Sequence, residues 1–167
     1  MTHVVFALGS NLGDRRAHIE EAIQALRASA GIEIENVSAL YETEPVGGPE
    51  QDNYLNAVVT AESHLDPHEL LRYAHDIENA HNRTREVRWG ARTLDIDLIV
   101  VGDQVIDDET LTLPHPRAYE RAFVLVPWST IDPDCQIPGH GTVSECLSQL
   151  ETDGVWLSQT QMSGGKE

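Results

Sequence analysis

Two aspartates, Asp95 and Asp97, sit on alternate positions of the apolar run TLDIDLIVV. In an extended strand alternate side chains share a face, roughly 7 Å apart, so Leu94, Ile96, Leu98 and Val100 should point one way and the two acids the other. Paired carboxylates of this kind can hold one or two hard cations, with magnesium the natural choice because it keeps waters and takes phosphate oxygens as further ligands. Two solvated acids on a half-exposed strand would show the same spacing. Just upstream, RTREVRWGAR (residues 83–92) carries four arginines against one glutamate. Guanidinium groups form paired hydrogen bonds to phosphate oxygens, although a solvated helix end would also fit.

Other residues could serve a flat, polar ring. In YLNAVVTAE, from Tyr54, alternation puts Leu55, Ala57, Val59 and Ala61 on one face. Tyr54, Asn56, Val58 and Thr60 share the other, offering an aromatic platform beside an amide or simply the end of a core strand. His115 and Arg121 add an imidazole and a cation further on, and His115 is not assignable as a ligand from spacing alone. Gly9-Ser10-Asn11-Leu12-Gly13 matches neither common phosphate-loop pattern and reads as a strand-to-helix turn.

These groups need a frame. A strand is expected over His3–Leu8, then a helix with Ile19, Ala22, Ile23 and Leu26 at helical spacing. One strand is expected over 32–41, a turn-rich loop over 43–53, and the strand from Tyr54. Asp66-Pro67-His68-Glu69 is a helix start, with Asp66 as N-cap, Pro67 at the first helical position and Glu69 completing a capping box. That helix should end near Asn82. The aspartate strand spans about 93–101, with a hairpin partner near Val105. A helix over 116–128, a turn at Asp132-Pro133, another helix from Thr142 and a strand over 155–159 complete the order. The sequence βαββαβ predicts an α+β, ferredoxin-like sandwich: a mainly antiparallel sheet with flanking helices and C-terminal additions.

The chain of 167 residues has the size of one domain, expected over 1–160 with a flexible tail over 161–167. Its net charge of −17 disfavours nucleic acid and anionic membranes, leaving small molecules held in a locally basic pocket. Of the eleven basic residues ten are arginine, and Arg83, Arg85, Arg88, Arg92, Arg117 and Arg121 lie within one stretch of the chain. Cys135 and Cys146 lack CxxC spacing and read as ordinary thiols. With no basic leader and no long apolar run, a soluble, cytoplasmic monomer is expected.

Taken in order, Gly9–Asp14, the Tyr41–Asn56 segment, RWGARTLDID (88–97) and Pro114-His115 through Arg121-Ala122-Phe123 closely resemble the 6-hydroxymethyl-7,8-dihydropterin pyrophosphokinases of folate biosynthesis. The resemblance implies transfer of pyrophosphate from ATP to the pterin hydroxymethyl group, releasing AMP. It implies two magnesium ions on Asp95 and Asp97, and catalytic arginines Arg83 and Arg92. ATP contacts fall on Leu71, Arg83, Arg85, Trp89, Arg92, Leu98, His115 and Arg121. Pterin contacts fall on Thr43, Val46, Tyr54, Asn56, Trp89 and Phe123, with Tyr54 and Phe123 sandwiching the ring. Ala91 stands where the family commonly has proline, and Thr110 where some members have arginine. A two-metal hydrolase would give Tyr54, Asn56 and Phe123 no role. A non-catalytic binding module would be expected to have lost Asp95, Asp97 or Arg92.

Overall fold

The computed structural model describes residues 1–11, 13–44, 53–82 and 94–162. The sheet is built on β1 (Thr2–Ser10) and β4 (Tyr54–Ser63), which pair antiparallel along their whole lengths, from Thr2 opposite Ser63 to Ser10 opposite Leu55. β5 (Asp95–Val101) pairs with the other edge of β1. β2 (Ile32–Val37) and β3 (Tyr41–Thr43) follow one another along the outer edge of β4, and β10 (Val155–Leu157) pairs with β3. Two crossovers interlock: α1 (Arg15–Ala28) joins β1 to β2 across β4, and α2 (Pro67–Asn82) joins β4 to β5 across β1. This is the expected ferredoxin-like arrangement.

Both sheet faces are covered. The first core combines Phe6, Leu8, Leu55, Val59, Ile96 and Leu98 with the α1 stripe Ile19, Ala22, Ile23 and Leu26 and with Leu70 and Ala74 of α2. The second packs Val5, Val58, Ile99 and Val100 against α3 (Ala122–Ile131) and α4 (Val143–Leu147), with the Trp128 side chain fully buried. The α2 start is as expected: Asp66 accepts from His68 N at 3.0 Å, and Glu69 accepts from Asp66 N at 3.1 Å. Thr142 and Glu145 form the corresponding capping box on α4.

Several expectations need correction. The strand read over 32–41 is two strands, because the chain leaves the ladder at residues 38–40. Ser38 bridges the gap: its N–H donates to the Val58 carbonyl at 2.9 Å, while its hydroxyl accepts from Val58 N at 2.9 Å. In β5 the register with β1 shifts between Val5 and Phe6, which leaves Ile99 as an extra residue. Val100 therefore joins the second core rather than the face of Ile96 and Leu98, since a bulge reverses the alternation beyond it. Val105 is exposed and pairs with nothing in the sheet; β6 (Ile106–Asp107) instead pairs with β7 (Thr112–Leu113), as β8 (Gln136–Ile137) does with β9 (Gly141–Thr142).

The helix read over 116–128 is a 3-10 turn, Ala118–Glu120, then α3, separated by an extended Arg121 with φ −110° and ψ 108°. That break lets Ala118 enter the core while Arg121 turns to the cavity described below. The last strand ends at Leu157, where Ser158 N turns to the Leu40 carbonyl. Gln161 bonds both backbone groups of Leu40, at 2.8 and 2.9 Å, and Met162 packs on the first core.

His3 joins β1 to the end of α3. Its Nε2 lies 2.8 Å from Asp132 Oδ2, which also accepts from Trp128 Nε1 at 3.0 Å, and its Nδ1 lies 3.6 Å from both Glu35 and Glu62. Hydrogen bonding to Asp132, then to Cys135, raises the imidazole from 6.5 to about 10 despite burial.

Two stability predictions follow from these contacts. Ser38→Ala would strand the buried Val58 N–H and should lower unfolding free energy by about 1–3 kcal/mol, read from the urea midpoint at constant slope. A raised imidazole stabilises in full below its unfolded value near 6.5, less above it, and not at all once pH passes about 10. Stability should therefore fall between pH 7 and 10 in the wild-type chain, and His3→Gln should flatten that decline; equal slopes would contradict the assignment.

Candidate active site

The register of β1 determines which groups meet. Gly9 lies opposite Asn56 on one side and Asp95 on the other, and Ala7 lies between Val58 and Asp97. On this face β1 thus contributes almost no side-chain volume between an amide on β4 and two carboxylates on β5. A cavity of about 620 Å³ opens there, lined by Ala7, Gly9, Thr43, Tyr54, Asn56, Asp95, Asp97, Arg121 and Phe123. Two strand spacings separate the amide end from the carboxylate end, about 10 Å.

At the amide end, Asn56 is nearly buried and donates from Nδ2 to Thr43 Oγ1 at 2.7 Å. That bond fixes the flip of the amide and turns Oδ1 toward Gly9, where an added Cβ would stand 3.2 Å from it. Tyr54 lines the cavity from β4 and Phe123 from the first turn of α3. The Arg121 guanidinium lies 5.5 Å from the centre of the Phe123 ring, within cation–π range. Arg15 braces the strand beneath, donating to Asn53 O at 2.9 Å and to Glu42 at 3.2 Å, while Ser158 donates to Glu42 at 2.8 Å. Burial acts to raise the Glu42 carboxyl, but the bonds from Ser158 and Arg15 outweigh it and hold the group below its ordinary value.

At the carboxylate end, β5 is an edge strand with two of its outer backbone groups bound. Glu78 of α2 accepts from Ile96 N at 2.6 Å, and His115 N donates to the Ile99 carbonyl at 2.8 Å. His115 also brings Nε2 to 4.0 Å from Asp97. Burial pushes this imidazole below its ordinary value, against the pull of Asp97, with Arg121 and Arg117 acting in the same direction as burial.

Of the residues expected at the site, Thr43, Tyr54, Asn56, Asp95, Asp97, Arg121 and Phe123 line one cavity, with His115 beside Asp97. Leu98 and Leu71 belong to the first core, across the sheet from the aspartate face. Val46, Arg83, Arg85, Trp89, Ala91 and Arg92 lie outside the described residues. Thr110 sits in an exposed turn, its N–H and hydroxyl both donating to Asp108. Glu78 carried no signal in the sequence beyond its place on α2, nor did Leu150 and Glu151, which line the cavity rim from beyond α4.

The fold is an α+β sheet in which an aromatic and amide recess faces two carboxylates across one cavity. The sequence profile of 7,8-dihydro-6-hydroxymethylpterin-pyrophosphokinase (HPPK) matches residues 5–133, and the chain belongs to that family. It is 44% identical over 155 residues to the 2-amino-4-hydroxy-6-hydroxymethyldihydropteridine pyrophosphokinase of Methylorubrum extorquens, covering 93% of this chain and 98% of that protein. It is 46% identical over 147 residues to the enzyme of the same name from Bacillus subtilis strain 168, covering 88% of this chain and 83% of the relative. The fold is similar to a crystal structure of an HPPK-DHPS protein in complex with substrates, with a TM-score of 0.70 at 12% identity. That match covers 89% of this chain but 43% of the larger one, so this chain spans less than half of it.

Glu78→Ala would remove the acceptor from Ile96 N and loosen the strand that carries both aspartates. A loss of about 1–3 kcal/mol in unfolding free energy is expected, together with faster amide exchange at Ile96. Unchanged protection at that amide would show that Glu78 does not hold the strand.

Proposed function

We infer that the chain transfers the terminal pyrophosphate of ATP to the hydroxymethyl group of 6-hydroxymethyl-7,8-dihydropterin, releasing AMP, in folate biosynthesis. The observation that carries this reading is the single cavity joining Tyr54, Asn56 and Phe123 to Asp95 and Asp97 across Gly9 and Ala7. A flat ring stacks between Tyr54 and Phe123, and its edge meets Asn56 Oδ1, whose orientation Thr43 maintains. The family resemblance assigns Val46 and Trp89 to the same ring. The ring's hydroxymethyl substituent then extends along the floor of β1 toward the aspartates.

The carboxylate end fits magnesium: two hard oxygen donors share one face, and the neighbouring Gly9 and Ala7 leave space for a hydrated cation. Asp95 and Asp97 would hold two such ions, which supply charge neutralisation at the attacked and leaving oxygens. Arg121 and His115 bind the phosphates from the α3 side, assisted by Arg83, Arg85 and Arg92 from the arginine segment. Leu71 and Leu98 support the nucleotide side from beneath β5. Because phosphoryl transfer requires little covalent help from a protein, these residues act by aligning the hydroxyl with the phosphorus and by balancing charge.

The protein works on small molecules as a cytoplasmic monomer with one domain, whose expected 1–160 boundary extends to include Gln161 and Met162. Among the described residues no helix is long and apolar enough to cross a membrane.

Incubation with Mg-ATP and the pterin should give pterin-dependent AMP; ADP, or phosphate released without pterin, would refute the assignment. Loss of groups behind a metal ligand costs about 10–100-fold, so Asp95→Asn and Asp97→Asn should each reduce turnover by more than about 100-fold while sparing pterin binding. Gly9→Val crowds Asn56 Oδ1 and should raise the pterin KM about tenfold or more with the melting curve retained.

A further inference from the structure

A second cluster of metal-ligand side chains lies on the other sheet face, where α1 and α2 pack together. His18 and Glu21 sit three residues apart on α1, a spacing that places both on one helix face. His81 meets them from the last turn of α2. His18 Nδ1 and His81 Nδ1 are 3.0 Å apart, with the two rings nearly perpendicular at 85°. Glu21 approaches the other His81 nitrogen at 3.9 Å. One nitrogen of each imidazole and a Glu21 carboxylate oxygen all lie within 4.8 Å of one another.

We propose that His18, His81 and Glu21 form a binding site for a divalent first-row cation of the zinc class, distinct from the aspartate pair. Zinc–nitrogen bonds of about 2.0–2.1 Å at a tetrahedral angle separate two ligand nitrogens by about 3.3–3.4 Å, so the imidazoles need open by only a few tenths of an ångström. The two rings meet edge to face, with their Nδ1 atoms turned toward each other. Glu21 is largely exposed and free to rotate inward.

The donor set discriminates between cations. Two imidazoles and one carboxylate suit zinc, cobalt or nickel, whereas magnesium prefers oxygen alone. The −17 chain attracts cations in general. A bound ion would clamp α1 to the end of α2, two residues ahead of Arg83 in sequence, and so fix the helix from which the arginine segment departs.

Zinc chloride alone is titrated calorimetrically, in excess magnesium, into an Asp95→Asn/Asp97→Asn chain so that the aspartate pair does not contribute. One zinc per chain is expected, with affinity weakened by about 100-fold or more in the same background carrying His18→Gln or His81→Gln. Metal-free melting curves of those variants establish that they fold. Zinc should raise the melting temperature of the aspartate-substituted chain but not that of the same chain carrying His81→Gln, and cobalt should give the former a visible absorption band that His81→Gln abolishes. Absence of zinc binding in the aspartate-substituted chain would mean that the imidazoles form only a hydrogen-bonded pair, and the proposal fails. It fails equally if binding survives both histidine substitutions and is lost instead in His3→Gln or Cys135→Ser, which would assign the ion to the His3, Asp132 and Cys135 cluster.

Discussion

The position of Gly9 between Asn56 and Asp95 is the constraint on which the rest of the site depends. A strand has one register that keeps its apolar set inside, and a slip of one residue would turn every side chain to the opposite face. Here that register is held on both sides of β1 by Phe6 and Leu8 in one core and Val5 in the other. The hydrophobic pattern that folds the sheet thereby also aligns an amide, a bare stretch of backbone and a carboxylate in one row. The row sets the amide and the carboxylate two strand spacings apart over one floor of backbone.

Edges complete what the register begins. β5 lies at the margin of the sheet, where unpaired backbone would let it fray, and Glu78 and the His115 backbone take up one group each. The opposite margin is braced by Arg15, Glu42 and Ser158, three residues from distant parts of the chain that meet beneath the recess. Neither brace lies in the cavity lining, yet each secures a strand that does.

Much of this was legible in the sequence because its signals are local. Alternation in YLNAVVTAE, the stripe on α1 and the Asp66–Glu69 cap each record a single element's own periodicity. The shared face of Asp95 and Asp97 followed from the same rule, and the resemblance to the pterin pyrophosphokinases joined Tyr54, Asn56 and Phe123 into one recess. What local signals miss is counting errors built into the chain. The extra residue at Ile99 reverses Val100, Ser38 replaces a rung of the ladder with its hydroxyl, and an extended Arg121 divides what reads as one helix. Each depends on a partner strand or core that no window of neighbouring residues contains. Glu78, Leu150 and Glu151 were missed for the same reason.

The outermost strand over part of the sheet is β2, where Glu33 and Glu35 stand beside Glu62 on the neighbouring strand. A bare strand edge is a template on which a second molecule can continue the sheet, and like charges along it are a strong deterrent. His3 takes up part of that negative charge from within its own chain, leaving the repulsion directed outward. The acidity of this edge thus opposes its pairing with the same edge of another copy.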